Sequence, residues 1–404
     1  MRILVSAYAC EPGKGSEPGV GWHVATGLCE QHDVWVLTRS NNRSAIEAEL
    51  AERPHPRLQI LYHDLPAWAR SMKRGLRGVQ LYYYLWQLSA RRCVRVAVDE
   101  HSIQVCHHAT FAKYWGPSAI AWLDLPYVIG PVGGADAVPS GLESVLGATG
   151  RIFEFVRRAA RAVAERDPLV RRTVRGAVIC IGATQTTTDR LSVMGARCTA
   201  TWNQVGVNPV AGSAPPEPRA DSLRVACVGR LVPLKAVALA LEAIAAAPSA
   251  VLEVIGDGPE RARLEKRCSD LGIVDRVRFR GNLTQQQALL AIERADILLH
   301  PSLHDSGGMV CAEALSLGRP VVALRWAGPA EIVDDTCGVL VDPFGGAQVV
   351  AMRIASAIEE LASDRARIQL LGANGLVRVE SELAWRCRIE RIEACLTDAM
   401  MGMR

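Results

Sequence analysis

The chain contains no uncharged apolar stretch of about 18 residues, so no helix is expected to cross a bilayer. Its twelve cysteines include no C-x-x-C pair, which argues against structural zinc and against a disulfide framework. Several of them, Cys106, Cys180, Cys227 and Cys311, fall in apolar runs where a thiol acts as a small core residue. Charge of one sign is also scarce: a formal net charge of +4 is too small to imply a nucleic-acid partner, and no nucleic-acid-reading motif accompanies it. There is no low-complexity tract and no internal repeat beyond a similar α/β rhythm in both halves. Disorder is therefore excluded, and the 49% apolar, 22% charged composition is that of a globular protein.

What is present is length and rhythm. The 404 residues suffice for two domains, each burying its own core. The opening residues 1–7 are apolar but short, lack a basic leader and run into a glycine-rich turn, so they read as a first strand, not a signal peptide. A cytoplasmic location is the expectation. In the first half, apolar runs at 3–7, 34–38, 58–62, 103–107, 127–129 and 177–181 alternate with helical patterns, the mark of a parallel sheet covered on both faces. The second half repeats this at 223–228, 251–255, 277–280, 297–300, 321–324 and 338–341. Residues 208–222 hold four prolines and little apolar content, and make the best linker. The expected organisation is a first domain over 1–208 and a second over 209–379, with a last helix, 380–404, returning to the first.

The passage with most chemistry is residues 301–313, P-S-L-H-D-S-G-G-M-V-C-A-E, which follows the apolar run 296–300 and opens a helical pattern over 309–317. Asp305 then sits on a strand-to-helix turn, and Glu313 lies in the first turns of the helix. Gly307 and Gly308 allow close backbone approach, and the free N–H groups around Ser306, Met309 and Val310 with the helix dipole make a phosphate site. Helix capping by Asp305, with Glu313 an ordinary helical carboxylate, is the alternative for the pair alone. In G-R-L-V-P-L-K, residues 229–235, Arg230 and Lys235 stand five apart on a strand-helix loop after Gly229 and can converge on a diphosphate. Gly256 begins the turn G-D-G-P-E-R, and Arg280 ends the next strand. The loop after the first strand carries Gly13, Gly15, Gly19 and Gly21, which do not sit at dinucleotide spacing, and no acid ends the second strand, so a Rossmann dehydrogenase is disfavoured.

This ordered run of motifs resembles the retaining glycosyltransferases of family 4, whose donor half carries Glu-x7-Glu on the same strand, turn and helix. Asp305 replaces the first Glu, Ala236 the glycine that usually follows the lysine, and Ala109 a histidine found in some relatives. The likeness covers the second domain from 229 to about 343. It is thinner in the first: the glycine loop, Y-Y-L-W-Q, H-H-A-T-F and G-P-V-G-G, a set similar to a branch serving polysaccharide or glycolipid assembly.

The resemblance implies the GT-B architecture, two Rossmann-like doubly wound domains facing across a cleft, and transfer of a sugar from a nucleotide-diphosphate sugar to an acceptor hydroxyl with retention. It implies that Arg230, Lys235 and the 307–310 amides neutralise the leaving diphosphate, that Asp305 takes sugar hydroxyls and Glu313 the ribose, and that main chain near Arg280 holds the base. It also implies that Gly15, Ser16 and Glu17 face donor phosphate or acceptor, and that a strand-end histidine, His107 or His108, contacts the sugar. No D-x-D sequence occurs, so no metal and no cofactor is expected. The acceptor could be a small molecule, a glycan or a lipid-linked group. A nucleotide-sugar epimerase or hydrolase of the same fold, and a non-catalytic nucleotide-sugar-binding partner, are the alternatives.

Two basic segments remain. Residues 66–100 have seven Arg or Lys against two acids, with Trp68, Tyr82, Tyr83, Tyr84 and Trp86 interleaved; residues 151–175 have eight arginines against three acids on a helical pattern. Each suits either an anionic membrane surface, with peripheral contact at its inner face, or a solvated helix face beside the core.

Overall fold

A computed structural model describes residues 1–70, 78–111, 113–217 and 221–402. It divides into two compact units: residues 1–135, 159–204 and 385–404 form one, and residues 136–158 and 205–384 the other. Part of the first basic segment, the end of the linker and the last two residues lie outside the described residues.

In chain order the first unit runs β1 (Arg2–Ala7), α1 (Ser16–Cys29), β2 (Asp33–Arg39), α2 (Arg43–Glu52), β3 (Leu58–His63), α3 (Ala67–Arg70), α4 (Val79–His101), β4 (Val105–Thr110) and β5 (Tyr127–Val132). It continues after α5 (Gly147–Ala164), which begins in the second unit, with α6 (Pro168–Gly176), β6 (Ile179–Gly182), α7 (Gln185–Val193) and β7 (Thr199–Thr201). The seven strands pair in parallel in the order β3-β2-β1-β4-β5-β6-β7. Strands buried on both faces can be apolar throughout, and β1, β4 and β5 are buried almost end to end. Trp86 and Tyr83 of α4 are fully buried in this unit's core.

The second unit runs β8 (Leu223–Val228), α8 (Val237–Ala246), β9 (Ala250–Ile255), α9 (Arg261–Asp270), β10 (Val277–Gly281), α10 (Gln285–Arg294), β11 (Ile297–His300), α11 (Met309–Ser316), β12 (Val321–Leu324), α12 (Ala327–Ile332), β13 (Gly338–Val341), α13 (Ala347–Ser363) and α14 (Arg365–Arg378). Its sheet is parallel, in the order β10-β9-β8-β11-β12-β13. One apolar cluster joins α8, α13 and the sheet, and a second joins α10, α11 and the opposite face. Helix α15 (Trp385–Met401) belongs to the first unit, where Ile389 packs on Gly27 of α1.

Three expectations are adjusted. The fourth strand of the first unit begins at Val105 rather than residue 103 and runs on to Thr110. His107 and His108 therefore lie inside it, opposite Val5 and Val128 and opposite Ser6 and Ile129. The chain passes between units at 204/205 and 384/385 rather than at 208 and 380. Residues 136–158, assigned from sequence to the first domain, belong to the second unit, because Val138, Leu142 and Leu146 join its core and the Trp326 indole donates to the Ala137 carbonyl at 2.9 Å.

Candidate active site

In the second unit β8 and β11 are neighbours although two strands intervene in sequence, so the winding reverses between them. Open α/β sheets bind ligands beyond the carboxyl ends of the strands at such a reversal. The loops leaving these two strands are joined there by main chain. The Leu303 amide donates to the Leu234 carbonyl at 2.9 Å, and the Ser302 hydroxyl donates to the same oxygen at 3.2 Å.

That stitching brings Lys235 Nζ to 2.5 Å from Asp305 Oδ2. The pair is mostly buried but reaches solvent, with side-chain exposures of 26% and 19%. The same carboxylate oxygen accepts from His300 Nε2 at 3.2 Å, while Oδ1 accepts the amides of Gly307 at 3.1 Å and Gly308 at 2.9 Å. Burial alone would raise the Asp305 pKa, but the Lys235 ammonium and the His300 hydrogen bond hold it well below the ordinary carboxylate value. Burial pushes His300 down, against the pull of Asp305, so the ring at the strand end is neutral and fixed as a donor. Lys235 therefore supplies the positive charge that faces Asp305, and His300 orients the carboxylate.

Gly308 takes the left-handed conformation, φ 66°, and caps α11. Two of the amides expected to face phosphate, those of Gly307 and Gly308, are spent on Asp305; the capping alternative describes this half of Asp305. Met309 and Val310 are the first residues of the helix, and their N–H groups have no intrahelical acceptor. Ser306 contributes its hydroxyl to Asp136 Oδ2 at 3.4 Å. Glu313, half-buried on α11, accepts from Gln285 Nε2 at 3.3 Å, and burial raises its pKa. It lies about 6 Å along the axis from Met309 at ~1.5 Å per residue.

Arg230 is exposed and makes no ion pair among the described residues. Gly256 is fixed by a close crossing: a Cβ there would sit 2.0 Å from the Gly229 carbonyl oxygen, while its amide donates to Gly281 at 2.9 Å. Gly229, Gly256 and Gly281 thus bring three adjacent strand ends together through their main chains. Arg280 is exposed and its guanidinium turns to Glu253 at 3.4 Å.

In the first unit, Gly15 is the extended N-cap of α1, Ser16 has φ 61°, and Glu17 lies in the first helical turn. The two histidines are not at a strand end. His107 is 0% exposed, its ring has no side-chain partner and only a backbone contact at Val128, and burial pushes its pKa to about 3. His108 bonds Ser118 Oγ at 2.9 Å and lies 3.4 Å from the Tyr83 hydroxyl, with its pKa pushed to about 4 by burial. Within this unit, neither ring has a face open to a sugar, which corrects the sequence expectation.

Sequence reading missed His300, although a polar residue closing the otherwise apolar I-L-L-H run was a usable signal. It also missed Asp136 and Arg157. Arg157 donates to the Asp136 carbonyl at 2.8 Å and contacts His304 Nε2, next to Asp305 in the chain. No local pattern links residues 147 positions apart.

Residues 214–369, which lie in this unit, match the model of the glycosyl transferases group 1 family. A group 1 glycosyl transferase domain is present. The chain is 31% identical over 196 residues to the lipopolysaccharide core biosynthesis glycosyltransferase LpsD of Rhizobium meliloti (strain 1021), an alignment covering 47% of this chain and 53% of that protein. It is 38% identical over 130 residues to the D-inositol 3-phosphate glycosyltransferase of Mycobacteroides abscessus, covering 30% of this chain and 29% of the relative. The chain thus spans about half or less of the length of these curated relatives. Among solved structures, Anabaena Alr3699/HepE in complex with UDP is similar over 98% of this chain and 100% of its own, with TM-score 0.65 and 19% identity. Sucrose-phosphate synthase from Thermosynechococcus elongatus is similar over 99% of both chains, with TM-score 0.69 and 18% identity. The fold is GT-B, two Rossmann-like domains with parallel sheets of seven and six strands.

Proposed function

We propose that the chain is a retaining, metal-independent glycosyltransferase that moves a sugar from a nucleotide-diphosphate sugar to an acceptor hydroxyl. The observation that carries this reading is the partly exposed Lys235–Asp305 pair at the β8/β11 reversal, on the turn that starts the helix bearing Glu313.

A diphosphate arriving at this turn competes with Asp305 for Lys235. When Lys235 swings to phosphate, Asp305 keeps its charge through His300 and the two glycine amides, and Oδ2 is released toward sugar hydroxyls. Arg230, free of other ion pairs among the described residues, adds a second cation, and the amides of Met309 and Val310 add donors. These groups meet the negative charge that grows on the leaving diphosphate, so they stabilise the transition state more than the ground state. The leaving phosphate takes the acceptor's proton on the same face of the sugar, which gives retention. Glu313 accepts the ribose hydroxyls, and Gly15, Ser16 and Glu17 face the acceptor side in this reading.

UDP is the nucleotide bound in the similar Anabaena structure, and lipopolysaccharide core synthesis is the role of the similar Rhizobium enzyme. They support a nucleotide-sugar donor and a glycan acceptor. Incubation with UDP-, GDP- and ADP-sugars and a panel of acceptor alcohols, chelator present, should release nucleoside diphosphate and form a glycoside with the donor's anomeric configuration. An inverted product, or turnover only after a divalent metal is added, would overturn this mechanism. Glu313→Gln should weaken nucleotide binding about tenfold at an unchanged melting temperature; unchanged affinity removes the ribose assignment.

A further inference from the structure

Helix α5 is turned inside out over the part that belongs to the second unit. Glu154, the one acid of the helix, is buried and accepts from Arg157 Nε at 2.9 Å and Nη2 at 2.7 Å. Arg157 also faces inward, to the Asp136 carbonyl and His304. The apolar side chains face water instead: Ile152, Phe153, Phe155 and Val156 are 66%, 62%, 72% and 58% exposed. At about 100° per residue they share a face roughly 160° wide. Single exposed apolar residues are ordinary, but four large ones on one helix face mark an interaction surface. Arg151 and Arg158, exposed and without an ion pair among the described residues, border this face on one side.

We infer that this face of α5 is the contact through which the protein sits on an anionic lipid surface. The border arginines match anionic headgroups, and the sole acid of the helix is withdrawn from the face and neutralised by Arg157. The strip is also too small for a stable pairing of two copies. Six residues of one helix, four apolar and two arginine, make it up, against the roughly 20–30 residues a side of an ordinary protein interface. Insertion of a helix face to a depth of ~5–10 Å at the headgroup boundary needs no more than this area. The inference rests on the helix alone and holds whether or not the transfer reading does.

The test is co-sedimentation of the full chain with vesicles of phosphatidylcholine alone and of phosphatidylcholine with one-third phosphatidylglycerol, with nucleotide binding followed separately. The chain should sediment with the anionic vesicles, and added salt should weaken it. Phe153→Ser with Phe155→Ser should reduce partitioning about tenfold or more at an unchanged melting temperature, because both side chains are already in water. Arg151→Gln with Arg158→Gln should cost roughly fivefold for each charge on anionic vesicles only. The inference is overturned by no sedimentation of the unaltered chain, or by equal sedimentation of the serine variant. A lipid-free dimer that the serine variant dissociates would also overturn it and assign the face to a second copy.

Discussion

Each unit places histidine on a central parallel strand beside its winding reversal, and the two placements have opposite consequences. In the first unit, His107 and His108 lie within β4, sealed between β1 and β5, one ring without a side-chain partner and the other tied to Ser118. In the second, His300 is the last residue of β11, and its ring reaches the carboxylate of the loop beyond. Position along the strand separates them: a ring inside the sheet is held neutral by burial, whereas a ring at the carboxyl end can orient a charged group that still meets solvent. The difference explains why charge gathers around Asp305 and not around His107.

The largest expected effect tests the sealed pair. Both rings are neutral in the fold, and the unfolded chain binds protons below about pH 6.5, so stability is complete above that pH. It falls as the pH drops toward the folded values of about 3 and about 4. The loss should be on the order of 2 kcal/mol per ring by pH 5. Denaturant titration at pH 7.5 and pH 5 should show His107→Leu flattening this dependence, and an unchanged slope would mean the ring is hydrated in solution.

Next in size, Lys235→Ala should weaken nucleoside diphosphate binding roughly 10- to 100-fold, measured by calorimetry, while His108→Gln changes it by no more than about twofold. Equal losses would erase the contrast between the two units. Gly328→Ala tests how tightly the Asp305 turn is held, because the added Cβ would lie 2.5 Å from the Ser306 carbonyl. It should destabilise the protein by about 1–3 kcal/mol, read as a lower melting temperature, and weaken diphosphate binding with it. The smallest change is Ala236→Gly. Ala236 has φ 50° between the Lys235 loop and α8, and a glycine there should stabilise by up to about 1 kcal/mol. A destabilised variant would show that the alanine methyl, which is buried in the core, outweighs the backbone strain.

Much of the second unit was legible because its signals are local. The runs 223–228, 297–300, 321–324 and 338–341 are the strands β8, β11, β12 and β13 as found. An apolar stretch closed by glycine or proline leaves a buried parallel strand little freedom in where it stops. The first unit was less legible at β4, where residues 103–110 offer apolar and polar residues with no punctuation. Pairing with β1 and β5 decided which of them entered the sheet. Residues 136–158 were misassigned for a similar reason: Val138, Leu142 and Leu146 are apolar enough for either core, and only packing selects one. The helical pattern over 151–163 was visible, but not that its apolar side would face outward, since periodicity gives a face and not its direction.

Sequence alone determined the two sheets, the parallel rhythm and the residues Lys235, Asp305 and Glu313, because strand runs, turn glycines and helix starts are written in short windows. Tertiary structure alone decided what those residues do to one another. The 70 positions between Lys235 and Asp305 close to 2.5 Å only when β8 and β11 become neighbours. The same folding buries His107 and His300 alike but sets only His300 at a strand end within reach of a carboxylate, and burial, which no short window encodes, lowers the pKa of both rings.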